Sequence, residues 1–157
     1  MQKTASPGIA TRTPEGILHT LSGITLLLLA AQFLIGMVVN LYVQIPSVHP
    51  GTRTSNYFQG VGQGVVWVLG QGSLSLVVHA ALGLILALIS IFLIGFAIAA
   101  RKRVWIFLSV AGWIGIVGAG FNGVSFLNYG HDFSSLLMSV GFLLAMISYT
   151  ISFSLGR

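Results

Sequence analysis

The sequence predicts an all-α membrane protein: a four-transmembrane-helix up-down bundle with both termini cytoplasmic. Three observations lead there. Hydrophobic residues make up 55% of the 157-residue chain and charged residues 6%, with a mean hydropathy of +0.97, whereas a soluble domain of this size needs a charged surface. Four apolar stretches are each long enough to cross a hydrocarbon layer of roughly 30 Å. The basic residues collect at the ends of those stretches. Lys3, Arg12, Arg101, Lys102, Arg103 and Arg157 fall on one side of the parsed topology, against Arg53 alone on the other, which directs the termini inward.

Residues 1–15 (MQKTASPGIATRTPE) are polar, carry Pro7 and Pro14, and read as a flexible cytoplasmic tail. Residues 16–157 then form the transmembrane domain. The first helix runs from about Ile17 to Ile45. It is longer than the apolar region of a signal peptide and has no A-x-A cleavage pattern, so it stays attached. Pro46 and Pro50 end it. An outer loop, 46–72, follows, in which Gly60, Gly62, Gly64, Gly70 and Gly72 bracket the apolar piece VVWVL. That piece is too short to cross and is expected at the membrane interface, anchored by Trp67.

The second helix spans about Ser73 to Ala100 and stops at Arg101-Lys102-Arg103. The third runs from Val104 to about Leu127, Asn128-Tyr129-Gly130 makes a turn, and the fourth runs from Asp132 to Leu155. Connections this short favour antiparallel neighbours.

Several classes are excluded. Without cysteine there are no disulfides, thiolate ligands or redox thiols. The sequence pI near 10.3 reflects topology: no basic stripe carries interleaved aromatics, so no nucleic-acid partner is expected. The spans hold no charge within them that would line an ion path. The third helix carries Gly112, Gly115, Gly118, Gly120 and Gly123. Such residues let a neighbouring helix approach closely, or make room for a flat macrocycle.

The candidate site is a pair of histidines, His79 and His131. His79 lies 22 residues before Arg101 and His131 lies 26 before Arg157, which at 1.5 Å per residue puts them about 33 and 39 Å above the inner boundary. Both fall at the outer end of helices that run parallel, and two imidazoles at one depth can hold a haem iron from both faces. Gly83 and Ser135, each four residues further on, leave clearance beside the rings. Arg53 is the expected countercharge for haem propionates, and Asp132 is expected to cap the fourth helix. His19 opens the first helix on the inner side with no partner histidine at its level, so one bis-histidine haem b is the maximum for one chain. His49, between Pro46 and Pro50, reads as a solvated loop residue, with a place at the pocket mouth as the alternative.

The first helix (TLLLLAAQFLIGMVVNLYVQIP), the long outer loop, a histidine opening each even-numbered helix and a glycine-rich third helix together resemble one four-helix half of the haem A synthase family, over most of residues 17 to 155. The resemblance implies a bundle with a haem between His79 and His131. Catalytic members of that family place a glutamate about one turn before the helix-two histidine, where this chain has Ser75, Leu76 and Val77, and many carry loop cysteines that are absent here.

The leading expectation is a haem b-binding cytochrome of the cell membrane, multi-pass, transferring single electrons. It would act as a homo-oligomer or as a subunit of a larger respiratory membrane complex, with a redox partner on the outer face and the lipid bilayer around it. The alternatives are a compact haem A synthase-like enzyme oxidising haem O, and a haem-free structural subunit.

Overall fold

The computed structural model describes residues 13–155; most of the expected tail, with Lys3 and Arg12, and Arg157 at the other end lie outside them. The described chain is helical apart from its connections: α1 (Pro14–Tyr42), a 3-10 turn (Pro50–Arg53), α2 (Tyr57–Gln71), α3 (Leu74–Ala99), α4 (Arg103–Tyr129) and α5 (Asp132–Leu155). Of these, α1, α3, α4 and α5 are long and apolar enough to cross a membrane, as expected of a multi-pass membrane protein.

Local chemistry sets the helix ends. Thr13 caps α1 by accepting from the Gly16 N–H at 3.2 Å, with Pro14 in the first turn, where its missing N–H costs nothing. Pro14 and Glu15 therefore belong to the helix and not to the tail. The helix ends at Tyr42, three residues short of the expected Ile45. At the end of α4, Gly130 takes the left-handed conformation (φ 67°) and donates its N–H to Phe126 O at 2.8 Å. That reversal leaves one residue, His131, before α5 begins.

α1 packs against α3 and α5, and α4 packs against the same two, so α1 faces α4 and α3 faces α5 across the diagonals. The helices alternate in direction. One end, the tail end, gathers the start of α1, the α3–α4 turn and the end of α5. There Lys102 Nζ meets Glu15 Oε1 at 3.0 Å with both side chains more than half exposed, a contact worth at most about 1 kcal/mol. The other end, the loop end, carries residues 43–73 and the α4–α5 turn.

The interior is polar in a way that suits a lipid solvent. Leu18, Leu29, Leu86, Leu93, Ile116 and Tyr149 form the core, while Leu27, Phe92, Phe107 and Phe133 point outward. Among the core residues lie fully buried hydroxyls: Ser22, Thr25, Ser90, Ser109 and Ser152. Ser22 and Ser152 bond across α1 and α5 at 3.0 Å, and Thr25 and Ser90 donate to carbonyls one turn back, at 2.8 and 2.9 Å. Lipid gives apolar surface no reason to hide, so small and hydroxyl-bearing residues take the contacts between helices.

The tightest contact joins α4 to α5. A Cβ on Gly115 would stand 2.5 Å from Gly141 O and 2.8 Å from Ala145 N; one on Gly141 would stand 2.7 Å from Gly115 O and 2.9 Å from Ala119 N. Gly115 and Ala119 on one helix and Gly141 and Ala145 on the other thus form two small-x3-small pairs that bring the backbones together. One turn away, the Tyr149 ring lies over Gly112, and Met138 lies over Gly123. These glycines are used for packing, leaving no room for a macrocycle between α4 and α5 at their level. Gly118 and Gly120 face open space.

α2 corrects the expected loop. Of the glycines read as loop markers, Gly60, Gly62, Gly64 and Gly70 belong to a 15-residue helix and Gly72 caps its end, because Gly60 and Gly64, one turn apart, are where α2 presses on its neighbours. A Cβ on Gly60 would meet Tyr129 Oη at 2.9 Å and Gly51 O at 3.1 Å, and one on Gly64 would meet Val124 at 2.8 Å. Burial on that face, with Val61 and Val68, offsets the helix-breaking cost of glycine, about 1 kcal/mol each.

Replacing Gly115 by Leu should destabilise the bundle by about 1–3 kcal/mol through overpacking, whereas Gly118→Leu should stay within about 0.5 kcal/mol. Thermal unfolding of both variants in detergent, followed by circular dichroism, checks the contrast.

Candidate functional site

The loop end of the bundle holds three of the four histidines, each in a different setting. His79 lies about one turn into α3 and faces α1. Gln32 Nε2 donates to the His79 carbonyl at 3.1 Å and lies 3.3 Å from His79 Nε2. An amide nitrogen only donates, so this contact makes Nε2 the acceptor and puts the ring proton on Nδ1. Nδ1 is buried and has no protein partner. Gly36 makes the arrangement possible, since a Cβ there would stand 2.9 Å from His79 Cε1, and a Cβ on Gly83 would stand 3.3 Å from Gln32 Nε2. The clearance expected beside His79 at Gly83 is therefore occupied by the Gln32 amide.

His131 is exposed in the α4–α5 turn. Its carbonyl accepts from Ser134 N at 2.9 Å, and its ring lies 6.1 Å from that of Tyr129 at 26°. Ser135, half-buried, accepts at its carbonyl from Ser139 Oγ at 3.0 Å. Asp132 is the first residue of α5, where the helix dipole favours a carboxylate. The structure thus brings His79 and His131 to one end of diagonal helices. The rings do not touch, and His79 sits six residues deeper relative to the start of its helix, nearly two turns or about 9 Å.

His49 departs from the solvated setting expected of it. It is 4% exposed, stacks on Trp67 with ring centres 4.4 Å apart at 16°, and its Nε2 lies 3.4 Å from Leu127 O. Trp67 is half-buried and packs on this histidine. At the tail end, His19 Nδ1 lies 2.9 Å from Phe153 O and its ring stacks on Phe153 at 4.3 Å, so this imidazole pins α1 to α5.

Asn128, which reads in the sequence as a turn former, joins His49 in attaching the loop region to the end of α4. It is 7% exposed and donates from Nδ2 to Gly60 O at 3.0 Å. A Cβ on Gly51 would stand 2.5 Å from its Oδ1, and one on Gly64 would stand 2.9 Å from the same atom. Three segments therefore meet at one amide: the 3-10 turn, α2 and the end of α4. The spacing of Gly60 and Gly64 by four is the only sequence signal of such a face.

Arg53 lines a cleft of about 700 Å³ between the 3-10 turn and α2, whose walls include His49, Gln59, Gln63, Trp67 and Gln71 but neither His79 nor His131. Among the described residues, no group of three or more histidine, aspartate or glutamate side chains is placed to hold a metal ion. No known protein family, curated protein or solved structure matches the chain.

Truncating Asn128 to alanine should loosen the loop region on α4, with the His49 contact to Leu127 O still in place. Amide exchange across 57–71 should speed up about tenfold, as expected for losing one buried hydrogen bond and its packing, about 1.4 kcal/mol. Exchange mass spectrometry reads this segment by segment.

Proposed function

We propose that the chain is a membrane-embedded electron-transfer protein that holds one haem b near the outer face through His79 and His131. The observation that supports this reading is topological. The two helices that begin at the loop end and run in the same direction, α3 and α5, lie diagonally across the bundle, and each carries a histidine at that end.

The donor set fits a haem iron in kind. Both groups are imidazoles, and neither has a carboxylate partner: the two acids of the chain are Glu15, paired with Lys102 at the tail end, and Asp132, exposed beside His131. His79 ligation through Nε2 requires Gln32 to give up one contact. The amide keeps its other hydrogen bond, to the His79 carbonyl at 3.1 Å, and so still positions the helix. The His131 ring is exposed beside the left-handed Gly130 and stacks on Tyr129, so ligation requires it to turn inward away from that ring. A haem bound there would supply one-electron exchange between ferric and ferrous iron. The polypeptide's part is to supply two imidazole ligands at one end of the bundle, one half-buried on α3 and one exposed before α5. With the loop end outward, the Arg101 to Arg103 cluster lies at the inner boundary, in keeping with the inside preference of basic residues.

A second reading, a haem-free structural subunit, is favoured by the Gln32–His79 contact itself, which gives His79 a role in joining α1 to α3. The Gly115–Gly141 contact bears on that reading too. Much of the glycine face that a partner helix would use is already taken up within the chain, leaving Gly118 and Gly120.

The test is an optical spectrum of the detergent-purified protein, expressed with ample haem, oxidised and then reduced with dithionite. A Soret band with sharp reduced α and β bands, lost in His79→Ala and in His131→Ala, is the expected result. A featureless wild-type spectrum, or bands that survive both substitutions, would transfer support to the structural reading.

A further inference from the structure

The cleft between the 3-10 turn and α2 has the chemistry of a binding site, and it stands apart from the histidine pair. α2 presents three different faces. Gly60, Val61, Gly64 and Val68 are buried against the bundle. Phe58, Val66 and Leu69 are exposed. Between these lies a polar row at four-residue spacing, Gln59, Gln63, Trp67 and Gln71, and all four line the cleft.

Opposite this row stands Arg53 on the 3-10 turn, also lining the cleft. No carboxylate lines it; of the two acids in the chain, Glu15 is at the tail end and Asp132 opens α5. Thr54 Oγ1 donates to Gln59 Oε1 at 3.1 Å, which leaves the Gln59 Nε2 protons as that amide's donors. The floor is rigid: His49, buried, stacks on Trp67 and is tied by Nε2 to the end of α4, while its Nδ1 has no protein partner.

An arginine and side-chain amides able to donate line one cleft with no acid among them, a lining that favours an anion. It must be one with several oxygens to accept from both walls at once. We infer that this cleft binds a phosphate group, held by Arg53 and by the amides of Gln59 and Gln63, which stand one turn apart on α2. The group can come from two sources. The exposed Phe58, Val66 and Leu69 on the neighbouring face of α2 would lie among lipid chains at a membrane surface, which would bring phospholipid headgroups to the rim; a free phosphate in solution has the same oxygens.

Trp67 forms part of the wall and serves as the reporter. Full-length protein in a neutral detergent is titrated with inorganic phosphate, and separately with phosphatidylglycerol in the same micelles, while tryptophan fluorescence is followed. A saturable change is expected that is absent in Trp67→Phe and is not produced by sodium chloride at equal ionic strength. Arg53→Gln should weaken the affinity about tenfold or more, consistent with losing a charge-assisted bond, and Gln63→Leu should weaken it several-fold, with helical circular dichroism unchanged in both. Saturation by both probes identifies the phosphate group alone as sufficient, and saturation by the lipid alone identifies a headgroup site. No saturation by either probe, or equal affinity in wild type and Arg53→Gln, overturns the inference.

Discussion

The backbone contact between Gly115 and Gly141 is the constraint on which the rest of the bundle depends. Each glycine stands where a Cβ would reach within 2.5 to 2.9 Å of the other helix's main chain. No larger residue allows that approach. Lipid offers no hydrophobic drive for helices to associate, so α4 and α5 are held by close dispersion contact and by the one-residue link after Gly130. With that pair set, α1 and α3 fill the remaining two corners, and α3 and α5 fall on a diagonal. The placement of both histidines at the loop end follows from the up-down order of the helices, since α3 and α5 both begin there.

Polar side chains then fasten the outer parts to the pair. Asn128 gathers the 3-10 turn and α2 onto the end of α4. His49 and Trp67 stack above it, and His19 joins α1 to α5 at the opposite end. Gln32 ties α1 to α3 beside His79. In each case a group with few apolar neighbours able to drive association instead makes a hydrogen bond or ring stack. Each of these groups gains at least one partner, which offsets part of the cost of burying it.

Hydropathy and charge made the four long helices legible, since a span of apolar residues ending in Arg101-Lys102-Arg103 or at Asn128-Tyr129-Gly130 has few alternatives. α5 runs over the expected residues, Asp132 to Leu155. α2 was not legible, because glycine carries a local message, weak helix, that here is overridden by a tertiary one, close approach at Gly60 and Gly64. His49 was misread for a related reason: proline neighbours on both sides indicate a turn but not what packs over it. The position of His79 near the start of α3 followed from counting residues, but its partner Gln32, 47 residues away, is a relation between helices that spacing within one segment cannot show. Arg53 was likewise placed at the correct end of the bundle, yet the cleft it lines depends on the helical row of glutamines in α2.

The central functional claim is that the diagonal of the bundle supplies two imidazoles to one iron. Electron paramagnetic resonance of the oxidised protein tests this most directly, because it reports the ligands on the metal. A low-spin ferric signal, changing to high-spin when His131 is replaced by alanine, is the result this account predicts. A high-spin signal in the wild-type protein, or a low-spin signal unchanged by that substitution, would contradict it.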